Sequence, residues 1–315
     1  MSLARLAFPP ATLYARIFGT STGRGVASMI LGMAAFVVND TLTKIASESV
    51  PLGQLIATRN IFATVLILGL IWMSGQAGHL RRTVDRAVVT RSSFDIVATF
   101  LFLIALFNMP IGNVMAINMA TPLAMTAAAA ILLKSPVGWR RWSAVLAGFG
   151  GILLIVQPSG EGFNAYALVA VASVVFIVGR DLSTRNIDKS IPSLVVTLTN
   201  AVFILVSALV LMLFQGLVAM GWREILLLAG AGLFLVAGYL LIVDAFRHGD
   251  LVTVGPFRYT GLVWALLSGY LIWGDIPNAL AQAGIAIVVA SGLYVLHRER
   301  LRARAERVAT AALPK

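Results

Sequence analysis

The chain has 315 residues, 59% of them hydrophobic and 12% charged, with a mean hydropathy of +0.91. A soluble globular domain carries about 25% charged residues, and its packing offers no shelter for the apolar runs of membrane-crossing length that recur from residue 25 to residue 296. The net charge of +11 lies mostly in the loops between those runs, which makes it a topology signal and argues against a nucleic-acid surface; with no cysteine there are no disulfides or thiolate ligands, and His79, His248 and His297 are too scattered for a metal site.

Residues 1–24, "MSLARLAFPPATLYARIFGTSTGR", contain arginines but neither a continuous apolar core nor a small-residue cleavage site. They read as a cytoplasmic N-terminal segment rather than a secretory signal. Leu3, Leu6, Phe8 and Leu13 are placed to touch lipid if that segment is ordered, and a plain tail is the alternative. Ten apolar spans follow, at about 25–46, 52–74, 92–108, 111–133, 142–158, 164–185, 191–215, 223–246, 250–273 and 277–296. Each is near the ~20 residues that a helix needs to cross the hydrocarbon core. Strands are excluded because an unclosed sheet leaves backbone groups unsatisfied in lipid. Residues 298–315 form a basic tail that reads either as a helix along anionic lipid or as a solvated anchor of orientation.

With ten spans, alternate loops share a side. One side collects 19 of the 24 Lys and Arg, including Arg81, Arg82, Arg86, Arg91, Arg140, Arg141 and the C-terminal run, whereas the other has only Arg223. Both termini are therefore expected in the cytoplasm. Lys44, Arg59, Arg180 and Arg258 remain, inside or at the ends of spans.

Sliding the chain by 141 positions sets Asp40 on Asp181, Thr43 on Thr184, Lys44 on Arg185, Pro51 on Pro192, Thr58 on Thr199 and Gly151 on Gly292. Two units of five helices, 25–158 and 159–297, are the expectation. Because five is odd, the second unit starts from the opposite side of the membrane, and such inverted repeats suit alternating access.

At "FVVNDTLTK", "ATRNIFA", "ATPLAMTAAAAILL", "SPVGWRRWSAVLAGFGGILLIV" and "GPFRYTGLVWALLSGYLIWGDIPNALAQAGIAIVVASGLYVL" the chain resembles the EamA-type branch of the drug and metabolite transporter superfamily, over essentially residues 25–297. The resemblance implies an all-α integral membrane protein of ten transmembrane helices in two inverted five-helix repeats. It also implies a multi-pass location in the bacterial inner membrane and the movement, slightly favouring export, of a small organic metabolite. Amino acids and their derivatives, nucleotide-like cofactors and flavin-like solutes are the cargo classes it suggests.

The residues themselves offer two polar networks. Asp40 lies ~22 Å along the first helix and Arg59 ~10 Å into the second from the other side, so they reach comparable depths. With Lys44 and Asn60 they form an outer network. Asp40 either binds a cationic part of the solute or a coupling proton while Arg59 meets an anionic part, or the two form a fixed clamp. Lys44 alone reads as a side chain snorkelling outward. An inner network draws on Asp95, Arg180, Asp181, Asp244 and Arg258, with Arg258 able to pair with any of Asp244, Asp181 and Asp95. Asn108, Asn113, Asn118, Thr121, Thr199, Asn200, Tyr239, Tyr259 and Trp264 are candidates to line the space between. Pro122 and Pro256 interrupt helices and are candidate hinges. The small-residue helices five and ten are placed outside the solute route, bracing the fold or forming a homodimer.

No phosphate loop, calcium loop or zinc cluster is present, so no metal, cofactor or catalytic group is expected. The expected partners are the metabolite, a coupling proton or counter-solute, and membrane lipids, with no nucleic acid. A nonconducting membrane interaction or regulatory protein is the main alternative, and a membrane enzyme the weaker one.

Overall fold

The computed structural model describes residues 21–132, 134, 138–157, 164–188, 190–249 and 251–311. The expectation for the first 20 residues lies outside the described residues. The described chain is all helix and loop: α1 Ser21–Ala46, α2 Leu52–Met73, a 3-10 segment Ala77–Val84, α3 Arg86–Asn108, α4 Ile111–Asn118, α5 Thr121–Leu132 and α6 Trp139–Val156. Then follow α7 Tyr166–Thr184, α8 Ser193–Gln215, α9 Trp222–His248, the short α10 Leu251–Val254, a 3-10 turn Gly255–Tyr259, α11 Thr260–Trp273 and α12 Ala279–Ala311. Among the described residues nine helices are long and apolar enough to cross a membrane, with α4 and α5 forming one of them. The chain is an all-α, multi-span membrane protein.

Local chemistry sets the helix ends. Pro51, Pro110 and Pro192 stand immediately before α2, α4 and α8, each with φ between −54° and −62° and ψ between 134° and 148°. Proline loses nothing there, because the first turn of a helix leaves amide donors unused anyway. Asp85 accepts a hydrogen bond from the Ala87 amide at 3.0 Å and so caps α3, and Asn278 does the same for Ala281 at 2.8 Å at the head of α12. This is why α3 starts at Arg86 and not at residue 92. Hydropathy discards the polar turn "RAVVTR", but the Asp85 cap nucleates the helix there. At the far ends, Gly274 (φ 69°, ψ 16°) takes the left-handed conformation that closes α11, and Gly216 (φ 76°, ψ 174°) takes an extended positive-φ conformation after α8.

The helices pack mainly as α1 with α9, α3 with α7, α2 with α8 and α6 with α12. Further contacts join α2 to α9, α3 to α8, α1 to α11, and α7 to both α4 and α5. The α6–α12 crossing is a backbone-to-backbone approach: a β-carbon on Gly151 would stand 2.8 Å from the Gly284 carbonyl oxygen, and one on Gly284 would stand 2.5 Å from that of Gly151. The small residues of these two helices therefore brace the fold from within the chain.

Backbone atoms cannot be displaced as a flexible side chain can. Gly284→Ala is expected to lower stability by about 1–3 kcal/mol, whereas Gly150→Ala, with nothing within 4 Å of the added carbon, is expected to be neutral or stabilising by up to about 1 kcal/mol. Thermal unfolding of the two variants in one detergent checks the contrast.

Candidate functional site

A cavity of about 380 Å³ lies between the helices, and α1, α2, α3, α8 and α9 each contribute a stripe of side chains at helical spacing. From α1 come Met29, Met33, Phe36 and Asp40; from α2, Arg59, Asn60, Ala63 and Ile67; from α3, Arg91, Asp95, Thr99 and Phe102. Thr197, Asn200, Ala201 and Ile204 face it from α8, and Val236, Tyr239, Ile242 and Phe246 from α9. Two broken segments complete the wall, with Asn118, Met119, Thr121 and Pro122 on one and Gly255, Arg258 and Tyr259 on the other.

The first break follows from Pro122. Without an amide hydrogen it leaves the Asn118 carbonyl unbonded, and the Thr121 hydroxyl donates to that oxygen at 2.6 Å. The Leu123 amide turns back to the Ala120 carbonyl at 2.9 Å, so the Met119 carbonyl is free to accept from the Tyr259 hydroxyl at 3.3 Å. Tyr259 belongs to the second break, so one hydrogen bond ties the two irregular segments together. Gly292 makes room for it, since a β-carbon there would overlap the Tyr259 oxygen. The Pro256 break continues as the 3-10 turn Gly255–Tyr259; Gly255 lines the cavity, and Pro256 itself does not.

The charged groups divide into satisfied and open. Asp95, 4% exposed at its side chain, lies 2.9 Å from Arg180 and 3.9 Å from Arg91 one turn earlier on α3. Arg180 also holds Asp181 at 2.9 Å. Asp181 stands behind Arg180, outside the cavity wall. Asp244 is drawn away altogether, to Arg24 at 3.1 Å, the Ser28 hydroxyl at 2.7 Å and His248 at 3.2 Å. Arg258, expected to pair with Asp244, Asp181 or Asp95, takes part in no ion pair among the described residues. It lines the cavity and is accessible to solvent.

In the outer network, Asp40 (6% exposed) and Arg59 (4%) both face the cavity, yet neither joins an ion pair among the described residues. Asp40 accepts from the Asn39 side-chain amide at 2.8 Å, and Asn60 donates back to the Ile56 carbonyl at 2.9 Å. The Arg59 Nε has no hydrogen-bond partner. Gly232 lets α9 close onto the Arg59 backbone, because a β-carbon there would meet the Arg59 carbonyl oxygen at 2.9 Å. Lys44 does not reach for the surface: it donates to the Met109 carbonyl at 2.5 Å and lies over the Trp273 ring at 5.2 Å.

Asn118, Asn200, Tyr239 and Thr121 line the cavity as expected from their position. Asn108, Asn113, Thr199 and Trp264 are not part of its wall; Asn108 bonds its own helix at Ile104 and Thr199 bonds Val195. Sequence reasoning passed over Arg91, Thr99 and Thr197. It also passed over Met29, Met33 and Phe36, whose spacing of four, three and four residues up to Asp40 marks one helix face and was the available signal.

The fold and this chamber define a class: a multi-span helical membrane protein with a charged central cavity. Residues 23–157 match the model of the EamA-like transporter family. Over those residues the chain belongs to that family, within the drug/metabolite transporter superfamily, whose members are transporters and not enzymes. The chain is similar to a riboflavin transporter of Vibrio cholerae, 26% identical over 90% of this chain and 96% of the relative. A pseudopaline exporter of Pseudomonas aeruginosa is 25% identical over 85% and 94%. An S-adenosylmethionine uptake transporter of Rickettsia felis is 20% identical over 88% and 93%. A solved crystal structure, 19% identical, superposes with a TM-score of 0.62 over 87% of this chain and 98% of the other, a likeness of fold alone.

Asp95 is 4% exposed and shared by Arg180 and Arg91, so removing it unpairs an inner knot of charge, whereas Asp244 faces an Arg24 whose side chain is 61% exposed. Asp95→Ala is expected to cost about 3 kcal/mol of stability and Asp244→Ala about 1 kcal/mol or less, read as unfolding midpoints in detergent.

Proposed function

We propose that the chain is a secondary transporter of a small polar organic metabolite in the bacterial inner membrane, working by alternating access, with export as its direction. The observation that carries the reading is the cavity: a chamber of about 380 Å³ walled by charged and aromatic side chains in the middle of an apolar bundle. Its size is within the range of small-molecule sites. Charges inside a membrane protein mark solute and ion routes when they are not paired.

Two features support alternating access. The main helix pairings are unchanged when the halves are exchanged. Taking α10 with α11 as a tenth span and matching α1 to α7, α2 to α8, α3 to α9, α4–α5 to α10–α11 and α6 to α12 turns the α1–α9 contact into α7–α3. The same exchange turns α2–α9 into α8–α3 and α1–α11 into α7 with α4–α5. This favours units 25–158 and 159–297 as inverted repeats.

The second feature is a difference between the cavity's ends. Near Asp40 and Arg59 the wall is buried, and the ties beyond it are Lys44 to Met109 and a reciprocal pair between Gln54 and Val218 at 2.8 and 3.0 Å. Toward Arg91, Arg180 and Arg258 the side chains are more accessible. On the proposed topology, the accessible end faces the cytoplasm. Asp40 and Asp95 are the acidic groups on the cavity wall available for coupling to protons, and Pro122 and Pro256 remain the proposed hinges.

The relatives handle riboflavin, pseudopaline and S-adenosylmethionine, each a polar solute, and the aromatic faces of Phe36, Phe102, Tyr239 and Tyr259 suit a planar part.

Transport is tested by loading proteoliposomes from a mixed metabolite extract and identifying what accumulates over protein-free vesicles. Arg59→Ala and Arg258→Ala are expected to lower flux about tenfold or more at equal membrane abundance, with the exposed Arg223→Ala unchanged; equal flux in all three rejects this assignment of the cavity. The absence of cysteine gives a clean topology test. In spheroplasts, Ser49→Cys is expected to react with an impermeant maleimide and Ser74→Cys only after lysis, the reverse result placing the termini outside.

A further inference from the structure

We infer that the solute is a net anion, a small carboxylate- or phosphate-bearing organic molecule whose negative group is taken by Arg59; this rests on the transport reading of the cavity. Four guanidinium groups, Arg59, Arg91, Arg180 and Arg258, line the chamber against two carboxylates, Asp40 and Asp95. Asp95 is already engaged by Arg180 and Arg91. What faces an arriving solute is therefore Arg59, Arg258 and a single carboxylate, Asp40.

Arg59 carries most of the argument. It is 4% exposed, its Nε finds no hydrogen-bond partner, and it joins no ion pair among the described residues. A buried guanidinium that feels Asp40 only from beyond ion-pair distance keeps its Nε donor free, and its planar fork of donors matches a carboxylate or phosphate in bidentate fashion. A neutral solute offers it only dipoles, and a cation meets an excess of like charge. Asp40 does not remove the excess, because it is one carboxylate on the wall against Arg59 and Arg258, and Asp181, which acts on Arg258 from outside the wall, is already paired with Arg180. It is placed to hold a donor group on the same solute, so a zwitterion with a surplus of negative charge fits as well as a plain anion. Arg258, at the accessible end, gives an anion its first attraction into the chamber.

The charge class is read in the same vesicles. The solutes that wild-type protein accumulates from the mixed extract are expected to be anions at pH 7. Their uptake is expected to be inhibited by benzene-1,3-dicarboxylate or phenyl phosphate at concentrations about tenfold lower than by benzamide or benzylammonium. The stronger of the two anions tells carboxylate from phosphate. Arg59→Gln is expected to abolish that tenfold advantage, Arg59→Lys to retain part of it and Arg223→Gln to leave it intact; if Arg59→Gln fails to reach the membrane, Arg258→Gln serves in its place. Accumulation of neutral or cationic solutes, or equal inhibition by all four probes, overturns the anion inference and leaves transport standing. So does an unchanged anion advantage in the glutamine variants. Vesicles that accumulate nothing overturn the transport reading itself, and this inference with it.

Discussion

A charge enclosed by apolar helices must either find an opposite charge or face a polar space, because hydrocarbon stabilises neither the ion nor its dipolar neighbours. That requirement orients this bundle. Arg180 uses both of its nitrogen faces on Asp95 and Asp181, which fastens α7 to α3 and forms the inner part of the wall. Lys44 takes a carbonyl and an aromatic face, and Asp244 reaches the Arg24 side chain where α1 begins. Asp40, Arg59 and Arg258 have no such arrangement, and the helices carrying them are turned so that all three border the cavity. The chamber is therefore the consequence of leaving specific charges unpaired in a chain that pairs the rest.

Backbone polarity follows the same rule. Among the described residues helices are broken at two places, and both border the cavity, as an irregular segment at membrane depth requires. The freed carbonyls are taken by side chains: Thr121 serves Asn118, and Tyr259 serves Met119. Since Tyr259 sits on the second break, the two irregular segments share a bond across the chamber wall, and the absence of a side chain at Gly292 keeps that hydroxyl in place.

Most of the architecture is legible in the sequence because it depends on local quantities. Run length gives the spans, prolines at 51, 110 and 192 mark helix entries, and the loop arginines suggest an orientation. The placing of Asp40, Arg59, Asn118, Asn200, Tyr239, Arg258 and Tyr259 around one space follows from the same reasoning, since polar groups on apolar helices must turn inward. What depends on rotation and partner choice is not local. Arg180 chooses Asp95 from 85 positions away and Arg24 chooses Asp244 from 220 away, and several acids satisfy a charge count equally well. Helix starts such as Arg86 are hidden because a capping hydrogen bond, rather than hydropathy, decides them.

The two copies of the internal motif show why symmetry in sequence does not impose symmetry in space. Asp40 and Asp181 occupy matching positions, yet Asp40 borders the chamber and Asp181 is paired behind it; Lys44 ties a helix end to Met109, while its counterpart Arg185 is exposed. A rigid scaffold has no need to keep equivalent residues in unequal roles. On the proposal of inverted halves the inequality is functional: each copy holds the role that the other adopts when the opposite end opens. On that reading, the ties at the Lys44 end are the ones that release, and the exposed Arg185 end is the one that acquires ties, as the chamber changes sides.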